Sequence, residues 1–244
     1  MKQNKLIVAL DVDTAEKARR LVEQLRDVVG MFKVGSQLFT AAGPELVREI
    51  VSGGGKVFLD LKFHDIPNTV AAAGVEATRL GVSIFNVHGL GGSEMMRRTA
   101  EAVAEAAQLE GLGRPALIAV TLLTSANEAT LSELGVNSEP AKLVVHLAQL
   151  AHASGLDGVV ASPHETAMVR SAIAKPDFLI VTPGVRPLRT ATDDQKRVTT
   201  PRDAILRGSD YIVVGRPILN APDPVRAAVQ ITEEIAAASG KGAA

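Results

Sequence analysis

The sequence predicts a single-domain α/β protein, a closed (β/α)8 TIM barrel spanning residues 1–244. Eight short runs rich in Val, Ile, Leu and Phe recur along the chain. Most are not alternated with polar residues, as suits parallel strands buried on both faces. Longer stretches with Ala, Leu, Glu, Lys and Arg at helical spacing separate them, and eight βα units in about 250 residues match a closed barrel. An open doubly wound sheet is the alternative. Against it, no G-x-G-x-x-G follows the first run, where a dinucleotide fold needs one.

In chain order the strands are expected at Leu6 to Leu10, Met31 to Val34, Val57 to Leu61, Ile84 to Val87, Ala116 to Thr121, Gly158 to Ala161, Phe178 to Val181 and Tyr211 to Val214. Helical patterns such as Ala15 to Val28 and Ser93 to Leu109 lie between them. No Pro/Gly/Ser linker divides the chain. Two connections exceed the usual loop of about 4–6 residues: Leu122 to Glu139 and Thr182 to Thr199. The second mixes Gly, Pro, Thr and charged residues, the composition of a closing lid. The tail AAASGKGAA is expected to fray.

Composition removes several function classes. Lys plus Arg number 26 and Asp plus Glu 27, a net charge of −1, so no basic excess points to nucleic acid or an anionic membrane. One Tyr and no Trp leave few platforms for stacking bases. The absence of Cys excludes disulfides and thiolate metal sites. Leu6 to Leu10 is too short for a signal-peptide core of about 7–15 residues, and the uncharged Pro115 to Asn127 falls short of the roughly 18 apolar residues of a membrane span. A cytoplasmic location is the expectation.

Parallel barrels build their sites where the strands exit, and the exits here are polar. Asp11 ends the first run, Lys33 lies in the second, Asp60 and Lys62 end the third, and His88 follows the fourth. Thr121 and Thr124 follow the fifth. Residues i and i+2 of a strand share a side, so Asp60 and Lys62 project together, with Lys33 and Asp11 from adjacent strands. Alternating Asp and Lys can all stay ionised at a barrel mouth because each charge has opposite neighbours. Gly184 and Arg186 follow the seventh strand, and Gly215 and Arg216 the eighth, the two loops that most often hold phosphate in this fold. Glycine lets backbone amides approach an anion and guanidinium grips its oxygens in pairs. Gln195 could close over the same phosphate. His88 reads equally as a general base or a hydrogen-bonded structural residue. His64 lacks a neighbouring ligand at metal-binding spacing. His146 and His152 read as solvated and Met95 and Met96 as helix packing.

At DLKFHDIPNT, residues 60–69, the chain resembles the orotidine 5′-phosphate decarboxylase family through its D-x-K-x-x-D motif. The likeness extends to ALDVD, FKVG, NVHG, TLLTS, TPGVRP and VVGRPI, in barrel order. The resemblance implies conversion of orotidine 5′-monophosphate to UMP without cofactor or metal. It implies a catalytic tetrad of Lys33, Asp60, Lys62 and Asp65, with Asp65 supplied by the other subunit of a homodimer. Asp11 and Lys33 would bind ribose hydroxyls together with the partner's Thr69. Thr124 would hold the pyrimidine edge, with Ser125 beside it as the alternative, and Arg186, Gln195, Gly215 and Arg216 would bind the 5′-phosphate. The rival is a metal-dependent sugar-phosphate decarboxylase or aldolase of the same superfamily, whose members carry a magnesium-binding Glu where this chain has Lys33. A catalytically silent phosphate-binding barrel would be expected to break the tetrad, which is intact.

Overall fold

The computed structural model describes residues 4–186 and 199–240. Its elements run β1 (Leu6–Ala9), α1 (Ala15–Leu25), β2 (Met31–Gly35), α2 (Ser36–Ser52), β3 (Val57–Phe63), α3 (Pro67–Arg79), β4 (Ile84–His88), α4 (Gly92–Leu109), β5 (Ala116–Val120), α5 (Glu128–Glu133), α6 (Pro140–Ala153), β6 (Gly158–Val160), α7 (Thr166–Ala172), β7 (Leu179–Thr182), α8 (Pro201–Leu206), β8 (Tyr211–Val214), α9 (Arg216–Leu219) and α10 (Pro224–Ser239). Each strand pairs in parallel with the next, and β8 returns to β1 through Leu6 opposite Ile212, closing the barrel. Closure is the feature that strand counting alone left open.

The two-residue period of each strand divides the core in two. Ile7, Ala9, Met31, Phe58, Ile84, Ile118, Val181, Tyr211 and Val213 pack inside the barrel. Leu6, Val8, Leu10, Phe32, Val34 and Leu59 point outward and join the helices in a second, larger cluster. Burial on both faces explains the unalternated apolar runs.

Helix starts follow local chemistry. Thr14 accepts from the Lys17 N–H ahead of α1, and Asp223 from the Arg226 N–H ahead of α10. Within α2 the chain kinks at Gly43, whose φ of 68° precedes Pro44, a residue with no N–H to give. The long connection after β5 contains α5, capped by Asn127. At the end of the barrel away from the strand exits, Arg170 donates to the Phe178 and Gly208 carbonyls and to Asp210, whose carboxylate accepts from the Ile180 N–H. That network ties α7 to β7 and β8, leaving the opposite rim to the site.

One strand pair is irregular. Leu59 of β3 lies opposite Phe85 of β4, yet Phe63 lies opposite Val87, so β3 advances four residues while β4 advances two. The extra chain is a bulge, and Lys62 stands on it with φ 53°, the one positive φ among the described non-glycine residues. A bulge re-aims a side chain, and the side chain here is a lysine at the barrel mouth.

Candidate active site

The period that places Ile7 and Ala9 inside the barrel carries on to Asp11, just past the end of β1. On β2 the inward positions are Met31 and Lys33, on β3 Phe58 and Asp60, and on β8 Tyr211 and Val213, followed by Gly215. The apolar floor therefore gives way, in one step along each strand, to a charged mouth. Lys33 Nζ lies 3.1 Å from Asp11 Oδ1 and 3.2 Å from Asp60 Oδ2, and Lys62 Nζ lies 2.6 Å from Asp60 Oδ1. The result is a continuous row Asp11–Lys33–Asp60–Lys62 with alternating sign.

Asp60 is the most constrained member. Burial works to raise its carboxyl pKa, but the ammonium groups of Lys33 and Lys62, with hydrogen bonds from Lys62 and Asn86, outweigh it and hold the group below the usual carboxylate range. Asp60 is thus a fixed anion between two fixed cations. Asn86 was not singled out from the sequence. It is completely buried on β4, with Nδ2 donating to Asp60 Oδ1 at 2.7 Å and Oδ1 accepting from the Lys62 N–H at 2.8 Å. The signal was available: an Asn two positions before the strand-exit His88, inside an otherwise apolar strand.

Charge row and glycine–arginine pairs line one cavity of about 330 Å3, a size suited to a small ligand. Asp11, Lys33, Asp60 and Lys62 form one side, and Gly184, Arg186, Gly215 and Arg216 another. Gly184 has φ 76°, a conformation glycine adopts without penalty. A Cβ on Gly215 would come within 3.3 Å of Asp11 Oδ2 and 3.4 Å of Ala9 Cβ, so a side chain there would press on the charge row. Thr124 lines the cavity and Ser125 does not. Thr121 is buried and donates to the Val160 carbonyl, joining β5 to β6 instead of facing a ligand.

Other expected residues lie elsewhere. Asp65 and Thr69 are exposed and outside the cavity lining, Asp65 accepting from the Ile66 N–H. Gln195 lies outside the described residues, as does most of Thr182 to Thr199; the Arg186 N–H donates to the Thr199 carbonyl, joining the two flanks of that stretch. The C-terminal tail beyond residue 240 also lies outside them. His88 stacks on His64 with ring centroids 5.4 Å apart, and its buried Nδ1 has no hydrogen-bond partner, so the expectation of a hydrogen-bonded structural residue does not hold at that atom. His146 and His152 are exposed, and Met95 and Met96 are buried in the core.

A closed parallel (β/α)8 barrel whose strand exits bring a charge row and two glycine–arginine pairs around one cavity has the build of a TIM-barrel enzyme. The chain belongs to the orotidine 5′-phosphate decarboxylase / HUMPS family, whose model matches residues 4–231. It is 56% identical over 235 residues to the orotidine 5′-phosphate decarboxylase of Geobacter sulfurreducens, covering 96% of this chain and 97% of that protein. Over 240 residues it is 55% identical to the enzyme of the same name from Syntrophotalea carbinolica, covering 98% of each. The crystal structure of the Lactobacillus acidophilus orotidine 5′-phosphate decarboxylase superposes with a TM-score of 0.84 at 39% identity, covering 95% of this chain and 99% of that one.

Proposed function

We propose that this carboxy-lyase converts orotidine 5′-monophosphate to UMP without a metal or cofactor, by stabilising a carbanion at carbon 6 of the pyrimidine with the Lys62 ammonium. The observation that carries the reading is the unbroken Asp11–Lys33–Asp60–Lys62 row on the wall of a cavity whose other side holds Arg186 and Arg216. In the reaction the bond from carbon 6 to the carboxylate breaks, its electron pair stays on carbon 6, and carbon dioxide leaves. That pair lies in an sp² orbital the ring delocalises poorly, so stabilisation must come from outside the ring. A fixed ammonium supplies it, then gives its proton to carbon 6, leaving a neutral Lys62 that recovers a proton from solvent.

Asp60 holds Lys62 by its 2.6 Å contact and would face the substrate carboxylate. Lys33 bridges Asp11 and Asp60 at 3.1 and 3.2 Å, the place between two carboxylates that a divalent cation would otherwise take. The charge balance there is already met, which favours the metal-free reading over the sugar-phosphate relatives. Asp11 and Lys33 bind ribose hydroxyls, and Thr124 the pyrimidine edge. Arg186, Gly215 and Arg216, with Gln195, bind the phosphate, far enough from the broken bond for its binding energy to serve orientation.

Asp65 and Thr69 enter the site of a second subunit in a homodimer. Their exposure, with Ile66 between them 66% exposed, supports this. No described helix is long and apolar enough to cross a membrane, and a cytoplasmic location is part of the proposal.

The test is the ultraviolet absorbance of orotidine 5′-monophosphate incubated with the protein in excess EDTA, alongside Lys62→Ala. Wild type should convert it to UMP, and loss of proton donor and stabiliser together should lower kcat by at least about 10⁴-fold. Restoration of activity by magnesium would move the chain to its sugar-phosphate relatives.

A further inference from the structure

We propose that Asn86 is a positioning residue for the decarboxylation: it holds the Lys62 backbone in its left-handed conformation while fixing the carboxylate that aims the Lys62 ammonium. This rests on the reading of Lys62 as stabiliser and proton donor. The observation is a closed hydrogen-bonded ring. The Lys62 N–H donates to Asn86 Oδ1 at 2.8 Å, Asn86 Nδ2 donates to Asp60 Oδ1 at 2.7 Å, and Lys62 Nζ donates to the same Asp60 oxygen at 2.6 Å. Lys62 is therefore gripped at both ends, at its backbone and at its ammonium, through two side chains.

Each part of the ring has a physical reason. A β-bulge diverts the Lys62 N–H from the regular β3–β4 pairing, and a buried amide without a partner is costly. A φ of 53° is disfavoured for lysine and persists only where its surroundings enforce it. Asn meets both demands from β4 because its side chain carries one acceptor and one donor group on a short stem. Only one amide orientation works: turned over, the NH2 would face the Lys62 N–H and the oxygen would face the Asp60 carboxylate. Asn86 is fully buried, so neither bond is shared with bulk water.

Two near-isosteric variants separate positioning from mere packing. Asn86→Leu removes donor and acceptor. Asn86→Asp keeps the acceptor but, when ionised, opposes Asp60 with a like charge; when protonated, it presents the same donor and acceptor as the amide. Both variants should lower kcat on the order of 100-fold at neutral pH, the scale of a misplaced reacting group, with little change in KM or in affinity for UMP. As pH falls toward about 5, the ratio of Asn86→Asp to wild-type kcat should rise, whereas that of Asn86→Leu should stay flat.

Wild-type kcat in folded variants, or a flat Asn86→Asp ratio, overturns the proposal. Circular dichroism and UMP binding establish folding; if the leucine variant fails there, the aspartate profile decides alone. A wild type that leaves orotidine 5′-monophosphate unchanged would defeat the parent reading instead. The Asp60 titration, followed by carbon NMR, still tests Asn86 in that case: its pKa rises in Asn86→Leu if Asn86 holds the carboxylate, and stays put if it does not.

Discussion

Lys33 Nζ lies 3.2 Å from Asp60 Oδ2, and both side chains are nearly withdrawn from water, at 12% and 13% exposure. With Asp11 Oδ1 at 3.1 Å on its other side, the ammonium serves as the cation of a two-carboxylate site. Lys33→Glu would reverse that. Three carboxylates would then converge on one spot, repel one another and gain the donor set of a divalent-metal site. We expect the variant to have a lower Tm than wild type in EDTA and to recover several degrees on adding magnesium, while wild type shows no such response. Equal magnesium shifts in the two proteins, read by differential scanning fluorimetry, would refute the placement of Lys33 as the charge between the carboxylates.

Asp60 makes a second, opposite use of the same contacts. Its folded pKa lies below the ordinary 3.8: burial opposes ionisation, but Lys33, Lys62 and Asn86 more than offset it. A carboxyl with a depressed folded pKa contributes stability that is fully present above its unfolded value and is lost as pH falls through its folded value. Asp60→Asn should therefore be less stable than wild type near neutrality, by about 2 kcal/mol, since Lys33 keeps Asp11 as a partner and Lys62 is partly exposed. Below pH 3.8 the two Tm curves should converge. A gap that stays constant through the acid range would show that Asp60 ionisation is not what stabilises the mouth.

The strand exits were legible because two-residue periodicity carries the apolar floor of the barrel directly into its charged rim. Asp11, Lys33, Asp60 and Lys62 stand out as charges at those exits, and the glycine–arginine pairs were read separately, from the loops after β7 and β8 that most often hold phosphate in this fold. Strand ends shifted by a residue or two; β3 runs on to Phe63 because the bulge lets it keep pairing beyond Leu61. What periodicity could not reveal was anything that depends on a break in it. The bulge at Lys62, its positive φ and its Asn86 partner arise from pairing between strands that no local pattern encodes. Thr121 misled for a related reason: it sits at a strand exit but has the outward parity, and its hydroxyl is taken by Val160. The roles proposed for Asp65 and Thr69 rest on the family resemblance alone, since nothing local sets these two exposed residues apart from ordinary solvated ones.

The proposed sharing of Asp65 between the subunits of a homodimer makes a sharp prediction about mixtures. Asp65→Ala and Lys62→Ala chains should each be inactive alone, because every site in either homodimer lacks one group. In a heterodimer, one site draws a defective residue from each chain and the other draws none. Mixing the two under conditions that let subunits exchange should restore activity toward about one quarter of wild type, half the dimers being mixed and each holding one intact site of two. Exchange demonstrated by native mass spectrometry without recovered turnover would sink the claim that Asp65 acts across an interface.

His88 gives the last prediction, and its sign is fixed by the surroundings. Burial, then the neighbouring His64 and Lys62, push its pKa below 6.5. Its buried Nδ1 has no hydrogen-bond partner that would repay protonation. The fold therefore prefers the neutral ring, and the unfolded chain takes up the proton first. The resulting loss of stability is absent above pH 6.5, grows as pH falls below it and is complete once the lowered folded value is passed. Leucine at this position has no charge to lose and forfeits no bond at Nδ1, so His88→Leu should flatten the decline of Tm between neutral and mildly acidic pH. His64→Ala, which removes one of the two neighbours that depress the His88 pKa but leaves His88 itself, should soften that decline only in part. Thermal unfolding of the three proteins at matched ionic strength decides the matter: parallel slopes would mean that His88 remains uncharged in both states or charged in both, and that the stacked pair carries no pH response.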